Sequence, residues 1–299
     1  MASSLNLFVT GGRGRLATLI ARHYEASAHK VSLFSRQAGG GIRDLRELPD
    51  RNSLQQAGAI LHLAWSTLPA SAEANPESPH VFDLPFLRRL LESIVACPVE
   101  RRPRLIFFSS GGTVYGNARE HPSRESDPTH PLGRYGLAKV AAEETILRAA
   151  EQHGIPFTIL RISNPYGYPV STARPQGIIP HAIRCAVHGQ PLALWGDGSA
   201  RKDYLYCEDF LSALTAVLER PLTGIFNVSA GRSHSVLEVL AEVEAQVGRK
   251  ILLARAPASP WDVQDSRLDN AKLIAATGWR PKIDLAEGIR RETAGSVPP

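Results

Sequence analysis

The chain of 299 residues predicts an α/β protein, a doubly wound parallel sheet followed by a smaller mixed α/β lobe. Three observations carry that expectation. Short apolar runs rich in β-branched and aromatic residues alternate with longer amphipathic segments. The runs are apolar at every position rather than at every second one, as strands covered on both faces are. Glycines stand at the junction of the first run with the first helical segment. The runs are Leu5–Val9, Val31–Phe34, Ala59–Leu63, Leu105–Phe108 and Phe157–Leu160; helical patterns lie near Leu16–Ala26, Leu84–Ala96 and Tyr135–His153. Residues 1–165 therefore read as one doubly wound domain. After about Tyr166 the pattern shortens, and residues 166–299 read as a smaller lobe with helices near Ile178–Val187 and Val236–Val247. Segments near 204–228 are expected to return to the main sheet. Pro- and Gly-rich stretches at Thr67–Pro79 and Glu120–Pro131 read as long loops, which are commonly functional.

Composition excludes several classes. With 43% hydrophobic and 21% charged residues the chain has an ordinary globular make-up, not that of a disordered or fibrous one. Cys97, Cys185 and Cys207 are an odd number at wide spacings, so neither a disulfide framework nor a structural zinc site is expected. The histidines show no ligand spacing, and no metal is expected. No run has the 18 or so apolar residues of a membrane span, and the first residues lack a signal-peptide pattern. A cytoplasmic protein is expected. The net charge of +5 comes from 34 basic residues, 28 of them Arg, spread evenly rather than in a stripe, so nucleic acid is not the expected partner.

The segment from Leu5 to Ala17 runs from strand to helix through Gly11, Gly12, Arg13, Gly14, Arg15 and Leu16. Gly11 permits a tight turn, Gly14 allows the backbone to approach a pyrophosphate, and the helix N-terminus favours the anion. At the end of the second strand Ser35 and Arg36 replace the acidic residue that a free ribose 2′-hydroxyl attracts, which favours NADP over NAD. Further on, Tyr135 and Lys139 share one face of a helix at i, i+4 spacing. A neighbouring ammonium favours the phenolate and makes proton exchange with an alcohol feasible. The strand Leu105–Phe108 ends in Ser109-Ser-Gly-Gly-Thr-Val-Tyr-Gly116, where Ser110 or Thr113 offers a hydroxyl to a substrate beside Tyr135. His62, in an apolar run, reads as a core or supporting histidine.

Glycine turn, His62-Leu-Ala64, the Ser-Ser-Gly-Gly-Thr-Val-Tyr-Gly strand end and Tyr-x-x-x-Lys occur in the order found in the extended short-chain dehydrogenase/reductase superfamily. Within it the chain resembles the NAD-dependent epimerase/dehydratase family of nucleotide-sugar enzymes, over nearly its whole length. Leu160-Arg-Ile-Ser-Asn-Pro-Tyr-Gly167, Trp195-Gly-Asp-Gly-Ser-Ala-Arg-Lys-Asp-Tyr204, Phe226-Asn-Val-Ser-Ala-Gly231 and Gly278-Trp-Arg-Pro281 are similar to further segments of that family. The resemblance implies a Rossmann domain and a substrate lobe. It implies Tyr135 as general base and acid, with Lys139 lowering its pKa and holding the cofactor ribose. Cofactor contacts are implied for the glycine turn, Ser35, Arg36, Leu63, Ala64 and Ile162, and substrate contacts for Gly111, Asn164, Trp195, Lys202 and Arg201. A homodimer paired through the Phe82–Ile94 segment is also implied.

The sequence departs from the family pattern at several points. The usual strand-end hydroxyl falls at Gly111, which leaves Ser110 or Thr113 to supply it. The pyrophosphate arginine falls at Lys202 and a second family arginine at Ser259, with Arg201 or Arg255 as neighbours that could compensate. Asp83 stands where the family has an Asn near the cofactor. Gly112 and Thr113 replace the acidic pair a 4,6-dehydratase needs, so dehydration is not expected. The expected activity is nucleotide-sugar epimerisation by transient oxidation; an NADP-dependent reductase and a non-catalytic cofactor-binding regulator are the alternatives.

Overall fold

The computed structural model describes residues 4–48, 50–168 and 177–294. In chain order the elements are β1 (Asn6–Thr10), α1 (Arg15–Tyr24), β2 (Lys30–Ser35), β3 (Arg43–Asp44), α2 (Arg51–Leu54), β4 (Ala59–His62), α3 (Pro69–Ala74), α4 (Leu84–Val95), β5 (Arg104–Ser110), α5 (Gly111–Val114), α6 (Arg134–His153) and β6 (Phe157–Ile162). Then come β7 (Asn164–Tyr166), α7 (Ile178–His188), β8 (Leu192–Trp195), β9 (Arg201–Tyr206), α8 (Cys207–Glu219), β10 (Gly224–Val228), β11 (Ser233–Ser235), α9 (Val236–Val247), β12 (Leu253–Ala256), β13 (Asp265–Ser266), α10 (Ala271–Thr277) and α11 (Leu285–Ala294).

The five apolar runs become strands of one seven-stranded sheet, in the order β10-β6-β5-β4-β1-β2-β3. β1 pairs in parallel with both β2 and β4, and β4 pairs in parallel with β5. All four residues of β4 and all six of β6 are buried, the burial pattern of strands covered on both faces. α1, α4 and α6 follow their strands. α6 ends at Gly154, whose left-handed φ of 66° stops the helix. The stretch expected as a loop at Thr67–Pro79 contains α3, a helix begun by Pro69, whose fixed φ suits a first turn. The apolar face of α4 (Leu84, Phe86, Leu87, Leu90, Leu91 and Ile94) is buried in the core with Phe107, Ala142 and Ile146.

Where the sequence places a boundary after residue 165 with segments near 204–228 returning, the chain forms two compact units by crossing repeatedly: residues 1–110, 133–161 and 217–226 form the first, and residues 111–132, 162–216 and 227–299 the second, so that of the returning stretch 217–226 joins the first unit and 204–216 does not. The interleaving follows from the sheet, because β10 pairs at its edge long after β6. The second unit holds a small sheet in which β9 pairs antiparallel with β11 and in parallel with β7 and β13. Among the described residues no helix is long and apolar enough to cross a membrane, and no cluster of three or more His, Cys, Asp or Glu could hold a metal. The three cysteines are free and buried.

Candidate active site

In the first unit the turn after β1 is built by backbone alone. Gly11 has φ +74°, and a Cβ there would lie 3.1 Å from the backbone of Ala64. The Gly14 amide donates to Gly11 O at 2.7 Å, and Gly12 N donates to Phe34 O at 2.9 Å, which closes the turn over β2. A cleft of about 580 Å³ opens beside it, lined among others by Gly11, Arg13, Gly14, Ser35, Arg36 and Ala64. Its floor is fixed by Thr10, whose Oγ1 accepts from Leu63 N and Ala64 N at 3.0 and 2.9 Å and bonds His62 Nδ1 at 2.8 Å. With both amide protons directed at Oγ1, the hydroxyl proton goes to Nδ1 and His62 carries its own proton on Nε2. Burial pushes its pKa down to about 3, so His62 is a neutral supporting group.

Arg36 stacks its guanidinium over the Phe82 ring at 5.4 Å, on the cleft wall. Arg13 donates from Nε to Gln37 O at 2.8 Å and from Nη2 to Ala38 O at 3.2 Å, which holds the loop after β2. Arg46 and Arg89 also reach the cleft, although Arg46 is ion-paired with Asp44. Gly12, Arg15, Leu16 and Ile162 are not part of the lining: Gly12 packs against Leu33, Leu16 lies within α1, and Ile162 is buried at the end of β6.

Tyr135 and Lys139 lie one turn apart on α6, as their spacing requires. Lys139 is 3% exposed; its Nζ donates to Phe108 O at 2.9 Å and stands 3.9 Å from the centroid of the Trp65 ring and 5.7 Å from that of Tyr135. Neither lines the cleft itself, although its lining residue Trp65 lies against Lys139. Burial lowers the Lys139 pKa to about 7, against the pull of the Asp83 and Glu143 carboxylates. The expected lowering of the Tyr135 pKa by Lys139 is not found: burial, aided by the Asp83 charge, raises it instead. Desolvation disfavours the phenolate, and the ammonium, itself near neutrality, does not outweigh it.

One positioning cluster had no sequence signal. Arg161 on β6 donates to Glu143 Oε2 on α6 from Nη2 at 2.6 Å and from Nε at 3.1 Å. Ser109 on β5 donates to the same carboxylate. With side chains 5% and 3% exposed, this pair ties the helix carrying Tyr135 and Lys139 to two sheet strands.

Ser110 ends β5 in the first unit, whereas Gly111 and Thr113 belong to the second, in α5. Thr113 Oγ1 is buried and has no hydrogen-bond partner, so it is a hydroxyl in want of one. The second unit has its own cavity of about 260 Å³, lined by Asn164, Trp195, Lys202, Tyr204, Asp262 and Glu292 among others. Trp195 is 62% exposed, an aromatic plate open to a ligand. Asn164 donates from Nδ2 to Asp203 O at 2.9 Å. Lys202 donates to Asp262 Oδ1 at 2.9 Å and to Val263 O. Arg201 is not in this cavity. Neighbours on a strand point to opposite faces, and Arg201 bonds Ser233 O at 2.9 Å and pairs with Glu238. Burial raises the Glu292 carboxyl to about 7; its place in the cavity was not legible in the sequence.

A tight glycine turn at the carboxyl edge of a parallel sheet, with a lined cleft beside it and a Tyr–Lys pair on the next long helix, defines a dinucleotide-binding α/β protein. The chain belongs to the NAD dependent epimerase/dehydratase family, whose model matches residues 7–229. It is 29% identical over 253 residues to dTDP-4-dehydro-6-deoxyglucose reductase of Escherichia coli, covering 83% of this chain and 77% of that protein. It is 27% identical over 299 residues to a putative UDP-glucose 4-epimerase of Methanocaldococcus jannaschii, covering 95% and 96%. Among solved structures, the UDP-glucose 4-epimerase of Thermus thermophilus in complex with NAD superposes with a TM-score of 0.85 at 27% identity, covering 97% and 98% of the two chains.

Proposed function

We propose that the protein is a nucleotide-sugar epimerase that oxidises a sugar hydroxyl transiently and returns the hydride to the other face. The observation that carries this reading is the cleft itself: a glycine turn with no room for a Cβ at Gly11, and a lining Trp65 packed on Lys139, one helical turn from Tyr135. A nicotinamide dinucleotide fits these residues, with the glycine turn toward its pyrophosphate and Leu63 and Ala64 beneath it. When bound, it supplies a reversible acceptor of hydride. Tyr135 would exchange a proton with the sugar hydroxyl, acting as base only once its own proton is lost, which the positive charge of an oxidised nicotinamide would favour. Lys139 holds positive charge beside Tyr135, and the burial of Lys139 keeps water from its ammonium. Thr113 or Ser110 offers the hydroxyl that orients the sugar oxygen. Trp195 stacks on the base, with Asn164 and Lys202 toward the phosphates. Gly112 and Thr113, in place of acidic groups, leave dehydration without its acid and base.

A second reading, net NADP-dependent reduction of a keto sugar or related carbonyl, is favoured by Ser35 and Arg36 on the cleft wall, neither of which repels a 2′-phosphate. The likeness to a dehydro-sugar reductase supports it too. Incubation with UDP-glucose and with keto sugars separates the two. Isomer formation with no net change in nicotinamide means epimerase; stoichiometric NADPH oxidation means reductase. The Tyr135→Phe variant loses either activity, and unchanged turnover in it would overturn both. The intact pair argues against the regulator reading. We also take the protein to be a cytoplasmic homodimer; the apolar face of the Phe82–Ile94 segment expected to pair is spent in the core, which leaves Phe82 exposed at its start, and sedimentation tests the dimer.

A further inference from the structure

Arg36, just after β2, and Phe82, in the turn Pro79–Asp83 that leads into α4, come from distant stretches of chain and meet on the wall of the first unit's cleft. The guanidinium carbon lies over the ring, 5.4 Å from its centroid. Phe82 is 50% exposed, a large apolar ring left out of the core beside the cleft. The turn that carries it is anchored. Pro79 and Asp83 at its two ends are buried, Ser66 N donates to both Asp83 carboxyl oxygens at 3.0 Å, and Ser66 Oγ donates to Oδ2 at 2.5 Å. We propose that Phe82 is a specificity-determining residue: its ring is the platform that holds the Arg36 guanidinium in place for a phosphate on the 2′-oxygen of the cofactor ribose. Phe82 thereby sets the preference of the cleft between NADP and NAD. This rests on the reading of Arg36 as the group that meets that phosphate.

Four arginines line this cleft, and their partners set Arg36 apart. Arg46 is ion-paired with Asp44, and Arg13 is held by the carbonyls of Gln37 and Ala38. Arg89 reaches the cleft from α4 with no ring against it among the described residues. Arg36 has the Phe82 ring and, among the described residues, no ion pair. Asp83, the next residue after Phe82, does not take that place: burial raises its carboxyl toward the neutral form, and no ion pair joins it to Arg36. An aromatic face attracts a guanidinium without supplying counter-charge, so Arg36 keeps its charge for a ligand. An exposed arginine carries much rotamer entropy, which a ligand must remove on pairing with it. A ring that holds the fork removes part of it beforehand. The ordered fork then suits phosphate oxygens, which it can meet with two parallel hydrogen bonds. The platform acts through Arg36 alone, so NAD, with a hydroxyl at that position, gains nothing from it.

Calorimetry of the full chain with NADP and with NAD gives the test without turnover. A cation–π contact at an exposed site corresponds to about two- to fivefold in affinity. Phe82→Ala should lower the ratio of NADP to NAD affinity by about that factor, through NADP alone. Phe82→Tyr, which keeps a ring face, should hold the parent ratio. Phe82→Leu, which loses the ring but keeps apolar bulk, should move as Phe82→Ala does, and it carries the test should the first not fold. In an Arg36→Ala background, Phe82→Ala should leave the ratio where it is, because the two residues act as one unit. A parent ratio in Phe82→Ala, where Arg36→Ala lowers it, would overturn the proposal. Equal loss of both cofactors would overturn it too, as the mark of a ring that packs on the adenine they share. A ratio unmoved by Arg36→Ala itself is a different failure, that of the 2′-phosphate reading beneath the proposal.

Discussion

Replacing Arg161 by Met probes how the catalytic helix is held. In the folded chain Glu143 shares its carboxylate between Arg161, at 2.6 Å, and Ser109. Met fills similar volume but leaves a carboxylate that is 3% exposed with one hydroxyl for company. Breaking a buried pair in this way costs about 3 to 5 kcal/mol. Urea unfolding at pH 7 reads the loss. Arg161→Met with Glu143→Gln should recover more than half of the loss. Because Lys139 lies one turn from Glu143 on α6, kcat should fall further than cofactor affinity. A loss under about 1 kcal/mol at pH 7, as for a surface pair, would refute the reasoning.

Further outcomes follow from the same geometry. Gly11→Ala places a Cβ 3.1 Å from the Ala64 backbone at φ +74°; the left-handed conformation alone costs about 1 to 2 kcal/mol, and calorimetry should find nicotinamide dinucleotide binding weakened about tenfold or more. Arg36→Ala should lower the ratio of NADP to NAD affinity by about tenfold, as loss of a charge-assisted hydrogen bond does; an unchanged ratio removes Arg36 from 2′-phosphate recognition. Asp203 is fully buried, accepts from Ala230 N at 2.9 Å and Arg232 N at 3.1 Å, and has its pKa raised by burial to about 6. Its folded-state pKa thus lies above the unfolded one. Its contribution to stability is whole below about pH 4 and is lost as pH rises through about 6. Asp203→Asn should flatten that part of the pH–melting curve.

Much of the main sheet was legible in the sequence because strands buried on both faces leave unbroken apolar runs, as β4 and β6 do. The glycine turn and the Tyr135–Lys139 spacing are local, and local geometry survives translation into sequence. What escaped depends on partners distant in the chain. Glu143 and Arg161 are 18 residues apart, and Ser109 is 34 from Glu143, so nothing nearby announces their cluster. Arg201 and Lys202 are adjacent, yet strand alternation sends only Lys202 to the cavity. Asp83 stood out as an unusual residue, but nothing near it in the chain announces that Ser66, 17 residues away, holds its carboxylate. The expected acidic phenol failed for a related reason. Spacing foretells which residues are neighbours, whereas desolvation depends on everything packed around them.

The most direct measurement of the proposed chemistry is to run the reaction with UDP-glucose in deuterium oxide and analyse the inverted carbon. Hydride withdrawal and return by the same molecule keeps the original hydrogen there, with no deuterium gained and no net nicotinamide consumed. Deuterium at that carbon would mean that a carbon-bound proton exchanges with water, and the transient-oxidation account would be contradicted.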